Sequence, residues 1–296
     1  MSAPAARGPR VLVTGASGYL GRRLVELAAR RAEVVGTHLS SPARTVEPAR
    51  PMRLDVTAEA DVRNALSLLR PAAVIHAAAA NPGADEDAVA TVNPAGARAV
   101  AGACGALGIR LVHVSTDVVH DGRRAPYADD AAPSPLDRYG AAKAEAEAVV
   151  AERCPAAAIV RTSLIYGLER MDRGTEGFAR RLADGQRLQL FTDVVRQPVF
   201  VDALADALVA LALDDRDERG TINVVGARAL SRAEFGRLML DHWQVDGRDR
   251  IDEVTAADRF DHVPLDLRMR RDRASALGYP QPGVDEVLAD AARDRA

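Results

Sequence analysis

The amino-acid sequence predicts an α/β fold, a doubly wound parallel sheet followed by a smaller C-terminal lobe. Three observations lead there. Short apolar, β-branched runs recur through the first 163 residues. Alanine-rich stretches with helical periodicity separate them. After about residue 163 the alternation gives way to arginine-rich sequence with short elements. Strands that are apolar throughout are buried on both faces, and the helices between them supply the cover.

Taken in chain order, the expected strands are 10–15 (RVLVTG), 33–39 (EVVGTHL), 52–56 (MRLDV), 72–78 (AAVIHAA), 110–116 (RLVHVST) and 157–163 (AAIVRTS). Helices are expected near 19–31, 58–69, 86–107 and 139–153. Residues 198–226 read as a return to the sheet. The expected division is therefore 1–163 with 198–227 as one domain, and 164–197 with 228–296 as the second, substrate-binding lobe. No internal repeat or low-complexity linker interrupts the chain.

Composition narrows the function classes. At 296 residues the chain buries a large core, and a net charge of −3 gives no footprint for nucleic acid or an anionic membrane. The longest apolar runs fall well short of a membrane span, and the first residues lack the apolar stretch of a signal peptide. Cys104 and Cys154 are too few for a disulfide framework, which points to a reducing cytoplasm and buried thiols. The six histidines are dispersed, so no metal site is expected. A monomer or homodimer is expected.

The stretch VLVTGASGYLG places Gly15, Gly18 and Gly21, with Ser17, Tyr19 and Leu20 between them, after the first strand and at a helix opening. Such a turn needs unusual dihedrals, close backbone approach to a pyrophosphate, and a small residue where helix meets strand. The helix N-terminus attracts the anion. This is a Rossmann-type dinucleotide site in GxxGxxG form. The second strand ends without a carboxylate and offers His38, Ser40, Ser41 and, further on, Arg44. That favours NADP, with NAD possible.

One lysine stands among 38 arginines, at position 143, four residues after Tyr139. One helical turn puts both on the same face. An ammonium is a compact charge with rotatable donors, suited to sit beneath a phenol and reach a ribose. Its proximity is expected to lower the phenol's pKa. The bland alternative is a surface i,i+4 pair. Upstream, Ser115 and Thr116 end the fifth strand, where a hydroxyl can meet a substrate carbonyl.

These features resemble the short-chain dehydrogenase/reductase superfamily. TGASGYLG is like the opening of its extended members, and Thr116, Tyr139 and Lys143 match its Ser/Thr–Tyr–xxx–Lys arrangement. The resemblance implies an adenine contact at Asp55-Val56, and at Ala77, Ala78 and Ala79 small side chains against which the cofactor lies. The stretch VSTDVVHDGRRAPYADDAAPSPLDRYGAAKAEAE, with VRTSLIYG, PVFVDALADAL, TINVVGARALSRAEFGRLM and DLRMRRDRASALG, is similar to dTDP-4-dehydrorhamnose reductases across almost the whole chain. That family implies NAD(P)H-dependent reduction of a 4-keto sugar nucleotide, with Tyr139 as proton donor, Lys143 on the ribose and Thr116 on the carbonyl.

The chain departs from the family at Val118 and His120, each in place of an aromatic, at Leu164 in place of tryptophan, and at Arg196 in place of glycine. Asp117, Val118, Leu164 and Arg196 are the candidate substrate residues. Arg161 and Arg196 stand equally as diphosphate ligands or as ion-pair formers, and Asn93 as a proton-relay member or a buried helix-to-loop link. Two alternatives remain. One is an epimerase or 4,6-dehydratase on the same scaffold, of which the dehydratase is disfavoured because Thr116-Asp117-Val118 lacks the glutamate of that family's Asp-Glu pair. A non-catalytic NADP-binding subunit, resembling the methionine adenosyltransferase β-subunit, is not excluded by the tyrosine–lysine pair.

Overall fold

The computed structural model describes residues 8–40, 47–215, 217–279 and 281–293. The first half runs β1 (Arg10–Thr14), α1 (Tyr19–Ala28), β2 (Glu33–His38), β3 (Arg50–Arg53), α2 (Glu59–Leu69), β4 (Ala73–His76), α3 (Glu86–Leu107), β5 (Arg110–Thr116) and α4 (Arg138–Arg153). There follow β6 (Ala158–Thr162), β7 (Ile165–Tyr166), α5 (Arg173–Ala183), β8 (Leu188–Phe191), β9 (Val195–Arg196), β10 (Val199–Phe200) and α6 (Val201–Leu213). The chain ends with β11 (Gly220–Asn223), β12 (Leu230–Ser231), α7 (Arg232–His242), β13 (Ile251–Val254), α8 (Asp272–Ala276) and α9 (Val284–Arg293).

A seven-stranded sheet has the order β11-β6-β5-β4-β1-β2-β3. Its pairs β1–β2, β1–β4, β2–β3 and β4–β5 are parallel. The order reverses between β1 and β4, and in such sheets the crevice at that reversal is where ligands bind. This is the doubly wound fold expected, and β11 supplies the expected return to the sheet. The strand expected at 52–56 lies instead at 50–53. It is the edge of the sheet, where Pro51 is tolerated and the side chains are largely exposed, so no apolar run marks it.

The chain divides into two compact units. One comprises Met1–Ser115, Ala141–Val160 and Ala205–Thr221; the other comprises Thr116–Gly140, Arg161–Leu204 and Ile222–Ala296. In the first, Leu12, Val35, Leu66, Val74, Val100 and Leu111 form a buried cluster covering the sheet. Its long helix α3 begins where Asp85 accepts from the N–H groups of Asp87 and Ala88, and stops at Gly108 in the left-handed region. In the second unit, Tyr166, Phe235 and Met239 form one cluster, and Leu182, Leu188, Leu190 and Leu240 another. A Ser231–Glu234 capping box starts α7 there. Among the described residues, no helix is long and apolar enough to cross a membrane.

Candidate active site

The turn after β1 needs glycine for steric reasons. Gly15 sits at φ +69°, and a Cβ there would lie 2.8 Å from the backbone of Ala78. A Cβ on Gly21 would lie 2.0 Å from the Gly15 carbonyl oxygen, so only glycine lets α1 approach the turn. Gly18 caps α1 without a side-chain bond, and no acidic residue occupies the first turn. The positive end of the helix dipole there favours an anion. Ser17 and Tyr19 are half-buried beside it, and Leu20 is buried. The Thr14 hydroxyl joins the ends of β1 and β4, 2.7 Å from His76 Nδ1 and accepting from Ala78 N–H at 3.2 Å.

Other expected cofactor contacts are distributed around this turn. Ala77, Ala78 and Ala79 follow β4 and are half-buried; Val56 is buried. Asp55, two residues beyond β3, is exposed and accepts from Thr57 N–H and hydroxyl, bonds that hold its carboxyl below the usual range. His38 ends β2, buried, and its Nδ1 has no partner among the described residues. Ser40 is exposed; Ser41 and Arg44 lie outside the described residues. The clash-free glycine turn, the uncapped helix start and the small residues after β4 fit a dinucleotide.

The candidate catalytic residues occupy β5 and the first turns of α4. Thr116 ends β5 and its hydroxyl accepts from Val118 N–H at 3.4 Å, starting a 3-10 turn. Tyr139 is the second residue of α4, whose start is tied by Asp137 accepting from Gly140 N–H at 2.6 Å. A Cβ on Gly140 would lie 2.3 Å from the Val118 carbonyl oxygen, so glycine lets the first turn of α4 pack onto the residues that follow Thr116. Sequence reasoning missed this residue, although it stands beside Tyr139.

Lys143 is buried, 4% exposed, and donates to the Val114 carbonyl at 2.7 Å. It is no surface pair. Burial brings its pKa down to about 8, against which Glu147 acts. The Tyr139 phenol differs from expectation: it is pushed up to about 12, by burial first and then by Asp117, with Arg196 opposing and Asp137 adding a little. Desolvation of the phenolate and the Asp117 charge outweigh the attraction of Arg196, and the expected lowering by Lys143 is not among the causes. The phenol is thus held protonated.

Asp117 is fully buried and takes two hydrogen bonds on one oxygen, from Ser163 Oγ at 2.5 Å and from Arg196 Nε at 2.7 Å. Arg196 Nη2 donates to the other oxygen, which completes a two-pronged pair. Arg161 is buried and donates to the Ala131 carbonyl at 2.8 Å, bracing the 129–131 loop. His120 is buried and stacks on Tyr127, with ring centroids 4.0 Å apart. Val118 is half-buried, and Leu164 packs against the cluster of Tyr166 and Phe235. Asn93 binds both peptide groups of Ala80, at 2.8 and 3.0 Å, which is the helix-to-loop link.

Arg232 was not foreseen. It opens α7, its backbone N–H bonds the Val194 carbonyl, and Arg196 lies near enough for the two charges to act on each other. The Arg232 guanidinium lies 5.9 Å from the centre of the Phe178 ring and forms no ion pair among the described residues. Burial, and then Arg196, lower its pKa to about 10. Among the described residues, no group of three or more His, Cys, Asp or Glu side chains is placed to hold a metal.

Comparison with known proteins gives the family. Residues 9–279 match the family described as RmlD substrate binding domain. A dTDP-4-keto-6-deoxy-D-glucose reductase of Streptomyces niveus is 37% identical over 212 residues, 68% of each chain. The β-subunit of methionine adenosyltransferase 2 of Danio rerio is 28% identical over 239 residues, 76% of this chain and 71% of that one. The crystal structure of dTDP-4-dehydrorhamnose reductase from Bacillus anthracis in complex with NADP superposes with a TM-score of 0.78 at 25% identity, covering 96% of this chain and 98% of that one. The chain belongs to the RmlD substrate binding domain family, within the extended short-chain dehydrogenase/reductases, and is an oxidoreductase of that family.

Proposed function

We propose that this protein reduces the keto group of a nucleotide-activated 4-keto-6-deoxy sugar, with NADPH preferred over NADH. The observation that carries the reading is the state of Tyr139, a phenol held protonated one helical turn before the chain's single, buried lysine. NADPH, when bound, supplies the hydride. Tyr139 gives its proton to the substrate oxygen, and the Thr116 hydroxyl orients that oxygen. Lys143, charged at neutral pH, stabilises the phenolate left behind and holds the nicotinamide ribose. The turn of Gly15, Gly18 and Gly21 takes the pyrophosphate. His38 and Ser40 would meet the 2′-phosphate, on a stretch, 37–46, whose sequence carries no carboxylate.

Arg196 is occupied by Asp117, so it orders the substrate side rather than meeting the diphosphate directly. Arg232, which forms no ion pair among the described residues, is the cation that fits an anionic substrate. The expected division of labour is part of the proposal: residues 1–163 with 198–227 serve the cofactor, and 164–197 with 228–296 the substrate. The similarity to a methionine adenosyltransferase subunit keeps a second reading, a binding module that holds NADP without turnover. Calorimetric titration with NADPH and NADH, followed by NADPH oxidation with a 4-keto-6-deoxy sugar nucleotide, separates the two. Oxidation supports the reductase; tight NADPH binding without oxidation of any keto-sugar nucleotide supports the binding module.

A further inference from the structure

Consecutive residues of β5 grip consecutive turns of α4. Val114 accepts from Lys143 Nζ at 2.7 Å, and Ser115 Oγ donates to Glu147 Oε1 at 2.5 Å. Lys143 and Glu147 lie four apart on one helix face, both buried, at 4% and 5% exposure. Lysine preceding glutamate at this spacing is the less favourable order on a helix surface, so helix stability does not explain the pair. A buried carboxylate is costly unless it is hydrogen-bonded and faces a cation. Glu147 has both.

The other titratable groups packed around Lys143 carry no charge near neutrality. His76 on β4 is held down at about 3, and His113 on β5 well below its ordinary range, by burial first and by the Lys143 charge second. Glu147 is the carboxylate acting on Lys143, and it acts to keep the ammonium protonated. We propose that Glu147, anchored by Ser115, is the positioning residue that fixes Lys143 in its working orientation and charge. The inference rests on the reading of Lys143 as part of the catalytic site. Its action is through the lysine, on which its charge bears.

The single lysine makes the test direct, because protein labelled with ¹³C at lysine Cε gives one side-chain signal. That signal is titrated by NMR in the wild type, in Glu147→Gln and in Ser115→Ala, without cofactor or substrate. Glu147→Gln keeps the shape and the acceptor for Ser115 and removes only the charge. Its expected result is a fall of about tenfold or more in the proton affinity of Lys143. Ser115→Ala, which keeps the carboxylate and frees it, should give a smaller fall in the same direction and covers the case in which the glutamine variant does not fold. An unchanged lysine titration in the folded variants overturns the proposal, even where stability drops. In turnover, the alkaline limb of the pH profile should move down by the same factor. A moved NMR titration in a protein that never oxidises NADPH would leave the Glu147–Lys143 coupling standing and refute the reductase reading instead.

Discussion

Arg196 holds the fully buried Asp117 through both prongs of its guanidinium, with Nε 2.7 Å from Oδ2. The two residues are 79 positions apart, and the same carboxylate also takes the Ser163 hydroxyl. Removing the guanidinium with Arg196→Ala strands a buried charge. A loss of about 3–5 kcal/mol in unfolding free energy is expected. Urea denaturation measures it, and a loss below about 1 kcal/mol would mean that the pair is loosely held.

Tyr139→Phe removes the proton donor and leaves the glycine turn untouched. Turnover should fall by about 10²–10⁴-fold, the range of a positioned acid, while NADPH affinity measured by calorimetry stays within about twofold. Lys143→Arg should lower both, because the planar guanidinium does not fit the buried site against Val114. Near-wild-type turnover in both variants would contradict the assigned roles.

The pH dependence follows from Lys143 and the two imidazoles. Activity should decline above about pH 8 as Lys143 loses its proton, whereas Tyr139, at about 12, stays protonated through that range. Stability has the opposite slope there. The lysine's pKa is lower folded than its ordinary 10.5, so burying the charge weakens the fold below about 8, and the penalty fades as pH rises from 8 to 10.5. His76 acts on the acid side. Its pKa of about 3 folded against 6.5 ordinarily means that stability is lost as pH falls from 6.5 toward 3. Denaturation midpoints measured across pH, in the wild type and in His76→Gln, check the sign.

Gly140→Ala places a methyl group against the Val118 carbonyl at a separation the backbone does not allow. The first turn of α4 must then move away from Val118, carrying Tyr139 with it. Turnover should drop by at least about tenfold, since small displacements of a reacting group are costly, with the far-ultraviolet circular dichroism of the wild type retained. Unchanged turnover would mean that this close packing does not position the phenol.

Much of the fold was legible because it rests on local pattern. The helix at 86–107 and the strand at 110–116 lie where their apolar pattern puts them. The strand at the sheet edge was shifted because Leu54 and Val56, though buried, lie beyond its end in the following loop. In the site, Gly15 and Lys143 stood out by residue type alone. The environment of Tyr139 did not: an expected neighbouring cation lowers a phenol's pKa, and only the fold reveals the burial and the Asp117 carboxylate that raise it. Glu147 looks in sequence like the exposed Glu145 two residues before it, and Arg196 gives no sign of its distant partner.

In the proposed reaction Tyr139 delivers a proton to a sugar-nucleotide ketone as NADPH is oxidised. Single-turnover stopped-flow, with enzyme-bound NADPH mixed against a dTDP-4-keto-6-deoxy sugar, tests it most directly. The expected result is rapid loss of nicotinamide absorbance, stoichiometric with enzyme, in the wild type, and a rate lower by about 10²-fold or more in Tyr139→Phe. Bound NADPH that stays reduced in the wild type, or is oxidised equally fast without the tyrosine hydroxyl, would contradict it.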